Sequence, residues 1–253
     1  MNLIVCAKQV VDISEMKIDP SSKKPILEGV PQKVSDIDKN ALEEAIKIKE
    51  KNGGKITVLT IGPANAKERI KELLAMGADE GVLVNPPDKY DYHVIAGLLA
   101  GAIKKIGEYD IILCGEASTD LFSGQIGPHL AGIINIPQIT YAQKIDAGKD
   151  KINADRNMSD KSVTTESTYP VLVTVTKEIN EPRLPSLMQI LGAANKPINE
   201  WTSDSLDVDT KTLVDTIELK GVPMERKNIV YKDDIDDSVS KLVDSLAKEG
   251  VLR

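Results

Sequence analysis

Aromatic side chains are scarce in this sequence. Phe, Trp and Tyr make up 3% of its 253 residues, with a single Phe122 and a single Trp201. Such a chain has few rings to stack on nucleic-acid bases. Positive charge is also in short supply: 32 Lys and Arg face 39 Asp and Glu, a formal net charge of −7, and no basic run stands out. That balance argues against nucleic acid or an anionic lipid surface as the main partner. The two cysteines, Cys6 and Cys114, both sit inside short apolar runs. They read as reduced core residues rather than as a disulfide or metal ligands. No stretch approaches the roughly 20 apolar residues of a membrane-spanning helix, so no membrane span is expected. The opening MNLIVCAKQV has neither a basic n-region nor a small-residue cleavage site. It does not read as a signal peptide, and the simplest compartment is the cytoplasm.

Several site motifs are missing too. There is no G-x-x-x-x-G-K-[ST] and hence no P-loop. After the first apolar run stands CAKQVVD, where a dinucleotide fingerprint needs G-x-G-x-x-G. There is no H-E-x-x-H and no G-x-S-x-G. His93 and His129 lie far apart in the chain, with no His, Cys or carboxylate at metal spacing, and each reads as a surface or capping residue. No metal site and no catalytic acid or base is assigned.

What is present alternates. Leu3–Ala7 is an apolar run that reads as a strand, and a polar excursion with three prolines follows to Val34. A helix starts near Ser35, where Ser35 and Asp38 have capping-box spacing. Ala41, Leu42, Ala45 and Ile46 recur on one face, and Gly53-Gly54 ends it. Lys55–Ile61 reads as a strand, then come a helix to Met76, a short strand Gly81–Val84, a helix Tyr92–Ile106 and a strand Asp110–Cys114. This rhythm predicts a doubly wound, mostly parallel α/β sheet with helices on both faces. After Pro137 four strand-like runs follow: Ile139–Ile145, Lys151–Arg156, Ser162–Thr168 and Val171–Thr176. Most of their connections are too short for crossovers, which predicts an antiparallel or mixed extension of the sheet. A short helix is expected around Ser186–Ala194, and an amphipathic one at about Asp236–Lys248. The expected division is an α/β domain over 1–194 and a C-terminal arm over 195–253, laid across a partner chain.

The candidate site is the loop after Asp110–Cys114, GEASTDLFSGQIGPHLAG. Ligands of open α/β sheets bind at the carboxyl ends of the strands. Gly115, Gly124 and Gly127 allow close backbone approach. Ser118, Thr119, Asp120, Ser123 and Gln125 offer polar groups, and the helix beginning near Gln125 points free N–H groups at the loop. These features suit a phosphate or nucleotide without saying which. Two other strand ends should meet the loop, contributing Cys6, Ala7 and Lys8, and Ile61 and Gly62. The helix start Ser35–Asn40 is a third wall, where Asp38 and Asn40 either bind a ribose or base edge or cap the helix.

Five segments, in order, carry a family resemblance: VCAKQVVD, SDIDKNALEEAIKIKEK, LTIGPANAKERIKELLAMGADEGVLV, LCGEASTDLFSGQIGPHLA and VTVTKEINEPRLPSLMQILGA. Together they resemble the β subunit of an electron transfer flavoprotein. The resemblance implies pairing with an α subunit that carries a mobile flavin domain, and exchange of electrons with a flavin-dependent dehydrogenase. It implies an adenine nucleotide in the α/β domain: structural AMP in one branch, and in the electron-bifurcating branch a second FAD that takes hydride from NADH. The nucleotide contacts it implies are Cys6, Ala7, Lys8, Asp38, Asn40, Ile61, Gly62, Gly115, Asp120, Ser123, Gly124, Gln125 and Ile126. The partner-docking loop it implies spans residues 178–190, with Glu181, Pro182 and Arg183 in the signature and Leu187 as anchor. The helix start is similar to bifurcating members, which favours FAD over AMP, whereas Leu121-Phe122 departs from their pattern. The alternatives are an AMP-holding electron carrier and a stand-alone adenine-nucleotide sensor akin to universal stress proteins. On the first reading the chain is active only with its α subunit.

Overall fold

The computed structural model describes residues 1–221 and 227–252. In chain order its elements are β1 (Asn2–Cys6), β2 (Gln9–Val11), β3 (Lys17–Ile18), β4 (Pro25–Ile26), β5 (Gln32–Val34) and α1 (Asp36–Asn52). There follow β6 (Lys55–Ile61), α2 (Lys67–Met76), β7 (Glu80–Asn85), α3 (Tyr92–Ile106), β8 (Ile111–Gly115) and α4 (Ile126–Ile134). The remainder is β9 (Gln138–Ala147), β10 (Lys151–Asn157), β11 (Ser162–Thr168), β12 (Val171–Val175), α5 (Leu187–Ala193), β13 (Ile198–Thr202) and α6 (Ile235–Lys248). The chain divides into two compact units. One comprises Met1–Lys17 and Ile26–Leu219, the other Ile18–Pro25 and the chain from Lys220 onward.

In the first unit, nine strands among the described residues form one sheet in the order β11-β10-β9-β12-β8-β1-β6-β7-β13. From β9 to β13 in that order all neighbours are parallel, while β9, β10 and β11 form an antiparallel meander at one edge. The sheet is covered on both faces. Leu3, Val5, Ile56 and Val58 look toward α1 and α2, and Ile4, Leu59, Val82 and Ile112 toward α3 and α4. Central strands buried on both faces must be apolar at every position, which is why IILC and VLVTV show no alternation. The expected fold class holds.

Two placements are finer than the sequence pattern conveyed. Val171–Val175 does not extend the antiparallel edge. It returns past the β10–β11 hairpin and inserts between β9 and β8, parallel to both and wholly buried. The expected arm from residue 195 begins with a strand, since Ile198–Thr202 is β13, paired in parallel with β7 at the opposite edge. Leu206 and Val208 then pack on the α3–α4 side, so the chain stays with the first unit to Leu219. Residues 222–226 and 253 of the expected arm lie outside the described residues.

In the second unit, α6 is capped by Asp234, whose carboxylate accepts hydrogen bonds from the N–H groups of Asp236 (2.8 Å) and Asp237 (3.2 Å). Ile235, Val239, Leu242 and Val243 all remain exposed on it.

Candidate functional site

The chain runs outward from β1 through β6 to β7, then crosses back to lay β8 on the other side of β1. The segments leaving β1 and β8 therefore part in opposite directions and open a crevice at the carboxyl ends of these two strands. This is where a doubly wound sheet binds ligands. Cys6 and Cys114 are in register at the base of the crevice, both buried and both free thiols. The facing Cys6 thiol, together with burial, pushes the Cys114 thiol well up.

Asp38 is the side chain that ties the crevice together. The β2–β5 ladder returns the excursion to the end of β1, where Ser35 N–H donates to Lys8 O at 2.9 Å and α1 starts. The expected capping box does not form: Ser35 makes no side-chain capping bond. The Asp38 carboxylate instead reaches into the sheet. It accepts from Lys8 N–H at 2.9 Å and from Gly115 N–H at 3.1 Å, one donor from each parting strand. Gly115 must be glycine here, because a Cβ would lie 2.6 Å from Asp38 Oδ1. Burial raises the Asp38 pKa to about 7 against the pull of those two N–H groups and the Lys8 charge.

Lys8 crosses the mouth. Its Nζ lies 2.7 Å from Asp120 Oδ2 and 3.4 Å from Ser118 Oγ, which fastens the loop after β8 to the end of β1. Burial pushes the Asp120 carboxyl up, but the Lys8 and Ser118 hydrogen bonds and the Lys8 charge outweigh it and hold the group below its ordinary value. Thr119 Oγ1 in this loop is buried with no hydrogen-bond partner. A buried polar atom left without a partner is a place for a ligand's donor or acceptor. Gly124 has φ +65°, so the loop turns sharply into α4 beyond Ser123, and Gln125 stands at the helix N-cap. In the first turn of α4, Ile126 and Gly127 present N–H groups that have no helical partner, and Pro128 has none to present. Ile61 ends β6, and Gly62 N–H donates to Val84 O at 3.0 Å, which continues the strand line one position further. A cation, helix N–H groups, small loop residues and an orphaned hydroxyl make a donor set suited to a nucleotide phosphate. Phe122 sits on this loop with φ +48° and is 64% exposed.

Asn40 takes a different direction. Its Nδ2 donates to Asn180 O (2.6 Å), Asn180 Oδ1 (3.1 Å) and Lys177 O (3.2 Å). Asn180 Nδ2 answers by donating to Asn40 O (3.0 Å) and Glu44 Oε2 (3.1 Å). Beside this pair, Arg183 binds Glu43 and Glu50 of α1, and its pKa is raised by both carboxylates. Glu181 and Pro182 line a cavity of about 720 Å3 together with Asp36, Lys39 and Asn40. Beyond them Leu184, Leu187 and Met188 are 92%, 70% and 77% exposed, and Ser186 and Gln189 form the capping box that starts α5.

The roles of Glu43, Glu44 and Glu50 escaped the sequence reading. The available signal was a polar stripe, Asn40-Glu43-Glu44-Lys47-Glu50, at helical spacing beside the apolar one. His93 and His129, far apart in sequence, meet with ring centroids 5.4 Å apart and planes tilted by 40° where α3 meets α4. Among the described residues no group of three or more His, Cys, Asp or Glu is arranged to hold a metal ion.

Comparison with known proteins fits this architecture. Residues 26–206 match the family model described as the electron transfer flavoprotein domain. The electron transfer flavoprotein subunit beta of Thermoanaerobacterium thermosaccharolyticum is 40% identical, with 100% of each chain covered. The protein of the same name from Clostridium acetobutylicum is also 40% identical, over 92% of this chain and 89% of that one. The Caffeyl-CoA reductase-Etf complex subunit CarD of Acetobacterium woodii is 38% identical, over 81% and 80%. With a crevice at the parting strands and kinship along its whole length, the chain belongs to the electron transfer flavoprotein family, among the β subunits.

Proposed function

We propose that the chain holds FAD in the crevice between β1 and β8 and passes electrons between NADH or a partner dehydrogenase and the flavin of an α subunit. The observation that carries this reading is the convergence of Lys8, Asp38 and the 115–126 loop at the strand parting. Lys8 and the first turn of α4 would take the phosphates, with Thr119 supplying a further polar contact. When bound, FAD supplies the redox chemistry, and the protein's part is to place and tune it. With aromatics at 3% the chain has few rings with which to sandwich a flavin, which favours a ring seated near the α subunit. Because Lys8 now pairs with Asp120, a phosphate would have to share or displace that carboxylate. The likeness to a caffeyl-CoA reductase–Etf subunit supports a partner enzyme acting on a CoA thioester. The exposed Leu184, Leu187 and Met188 support docking of that partner on residues 178–190, with Leu187 as anchor.

The test is to purify the chain with its α subunit, denature the complex and record absorption spectra of the separated ligands. Two flavin equivalents per heterodimer are expected. One flavin with AMP would make the chain the subunit of a simple carrier, and ATP without flavin would make it a sensor. Electron transfer by this chain in the absence of an α subunit would overturn the dependence on pairing.

A further inference from the structure

Between Asn180 and Ser186 the backbone has no regular structure, yet it leads directly into the exposed apolar side chains of the docking segment. Two side-chain assemblies hold it. The first is the reciprocal Asn40–Asn180 pair. The second is Arg183, whose Nε lies 2.9 Å from Glu43 Oε2 and Nη2 3.0 Å from Glu43 Oε1, a bidentate fork. Its Nη1 lies 2.6 Å from Glu50 Oε1, and its backbone N–H donates to Glu43 Oε2 at 3.1 Å. The Glu43 side chain is buried, and Arg183 engages both of its carboxylate oxygens. The guanidinium is spent inward on α1, and it is the leucines and Met188 that face outward.

Resting on the docking role proposed above for residues 178–190, we propose that Arg183 and Glu43 are positioning residues that hold the docking segment in one shape, rather than contacts to the partner. The clasp removes in advance the freedom that the segment would otherwise lose on binding. It spans 140 residues of sequence, so α1, which also carries Asp38 at the crevice, serves as the rigid base of the docking segment. Glu43 is the diagnostic position. It is buried beneath the segment, and a partner reaches it only through Arg183.

The experiment uses the complete heterodimer with Arg183→Gln, Arg183→Lys, Glu43→Gln and, as a control, Leu187→Ala. Amide hydrogen exchange over residues 181–191 is read beside KM and kcat with a purified flavin-dependent CoA-thioester dehydrogenase. Arg183→Gln and Glu43→Gln should each speed exchange of the segment and raise KM by about tenfold, the change that roughly 1.4 kcal/mol produces, with kcat unchanged. A variant combining Arg183→Gln with Glu43→Gln should be no worse than either single one. Arg183→Lys, which keeps the charge without the fork, should fall between and stands in if the Gln variants do not fold. Leu187→Ala should raise KM with exchange unchanged. A higher KM in Arg183→Gln with normal exchange, or with Glu43→Gln indistinguishable from wild type, would make Arg183 a partner contact and overturn the proposal. Faster exchange with KM unmoved would overturn it equally. A Leu187→Ala variant with normal KM would instead sink the docking role, a separate result from the exchange measurement.

Discussion

Asp38 stands where β1 and β8 part, and its chemistry follows from that place. Its pKa of about 7 in the folded chain lies above the ordinary 3.8, because burial disfavours the charge more than two backbone N–H groups favour it. A raised carboxyl pKa means that the folded state binds the proton more tightly. The resulting stability is complete below about pH 3.8 and is lost as the pH rises through about 7. The melting temperature of wild type should therefore fall between about pH 4 and pH 7, and the Asp38→Asn variant should lack that component. Parallel pH profiles would show that Asp38 does not titrate there. Phe122 makes a second case. A side chain with φ +48° occupies the left-handed region, where a Cβ is unfavourable by roughly 1 kcal/mol. Phe122→Gly should consequently be more stable than Phe122→Ala by about that amount in urea denaturation. Equal stabilities would mean that the loop relaxes out of this conformation.

Among the elements, α4 depends on a close approach to β12. A Cβ on Gly127 would lie 2.5 Å from Thr174 Cγ2, too near for any real contact. Gly127→Ala should destabilise by about 1–3 kcal/mol, the usual range for overpacking, and should push the first turn of α4 away from the crevice. Thr174→Ser removes the clashing methyl while keeping the hydroxyl that accepts from Tyr141 N–H at 3.1 Å. The pair together should recover most of the loss in denaturant midpoint, and no recovery would place the strain elsewhere. The elements also show where local pattern stops being informative. Lys55–Ile61, Tyr92–Ile106 and Ser162–Thr168 were legible to the residue, because alternation, helical spacing and glycine stops are local signals. β13 was not. Ile198–Thr202 is short and carries Asn199 and Glu200, and it is a strand because β7 would otherwise leave its outer edge open.

For the whole molecule, the two units make separable predictions. The first has cores on both faces of its sheet, whereas α6 in the second buries none of its residues. A chain ending after Leu219 should keep its circular dichroism per residue and a cooperative melt, but should pair with the α subunit at least tenfold more weakly if α6 spends its apolar face there. Unaltered pairing would take assembly away from the arm. The candidate site divides in the same way. The 115–127 loop and the strand ends were legible, because glycines, small polar residues and a helix start are contiguous there. Asn40 shared a helix start with Asp38, and nothing local separated them. Two residues along a helix turns the side chain by about half a circle, so one faces the crevice and the other Asn180.

By itself the sequence determined the α/β alternation and the glycine-bearing loop at a strand end. Each of these is written in neighbouring residues. Tertiary structure alone decided that Val171–Val175 enters the centre of the sheet, that Asp38 bridges β1 and β8 instead of capping α1, and that Arg183 turns inward to Glu43. The physical reason is range. These outcomes depend on which strand lies beside which and on partners as many as 140 positions away, and hydrophobic periodicity encodes which face is buried but not which neighbour buries it.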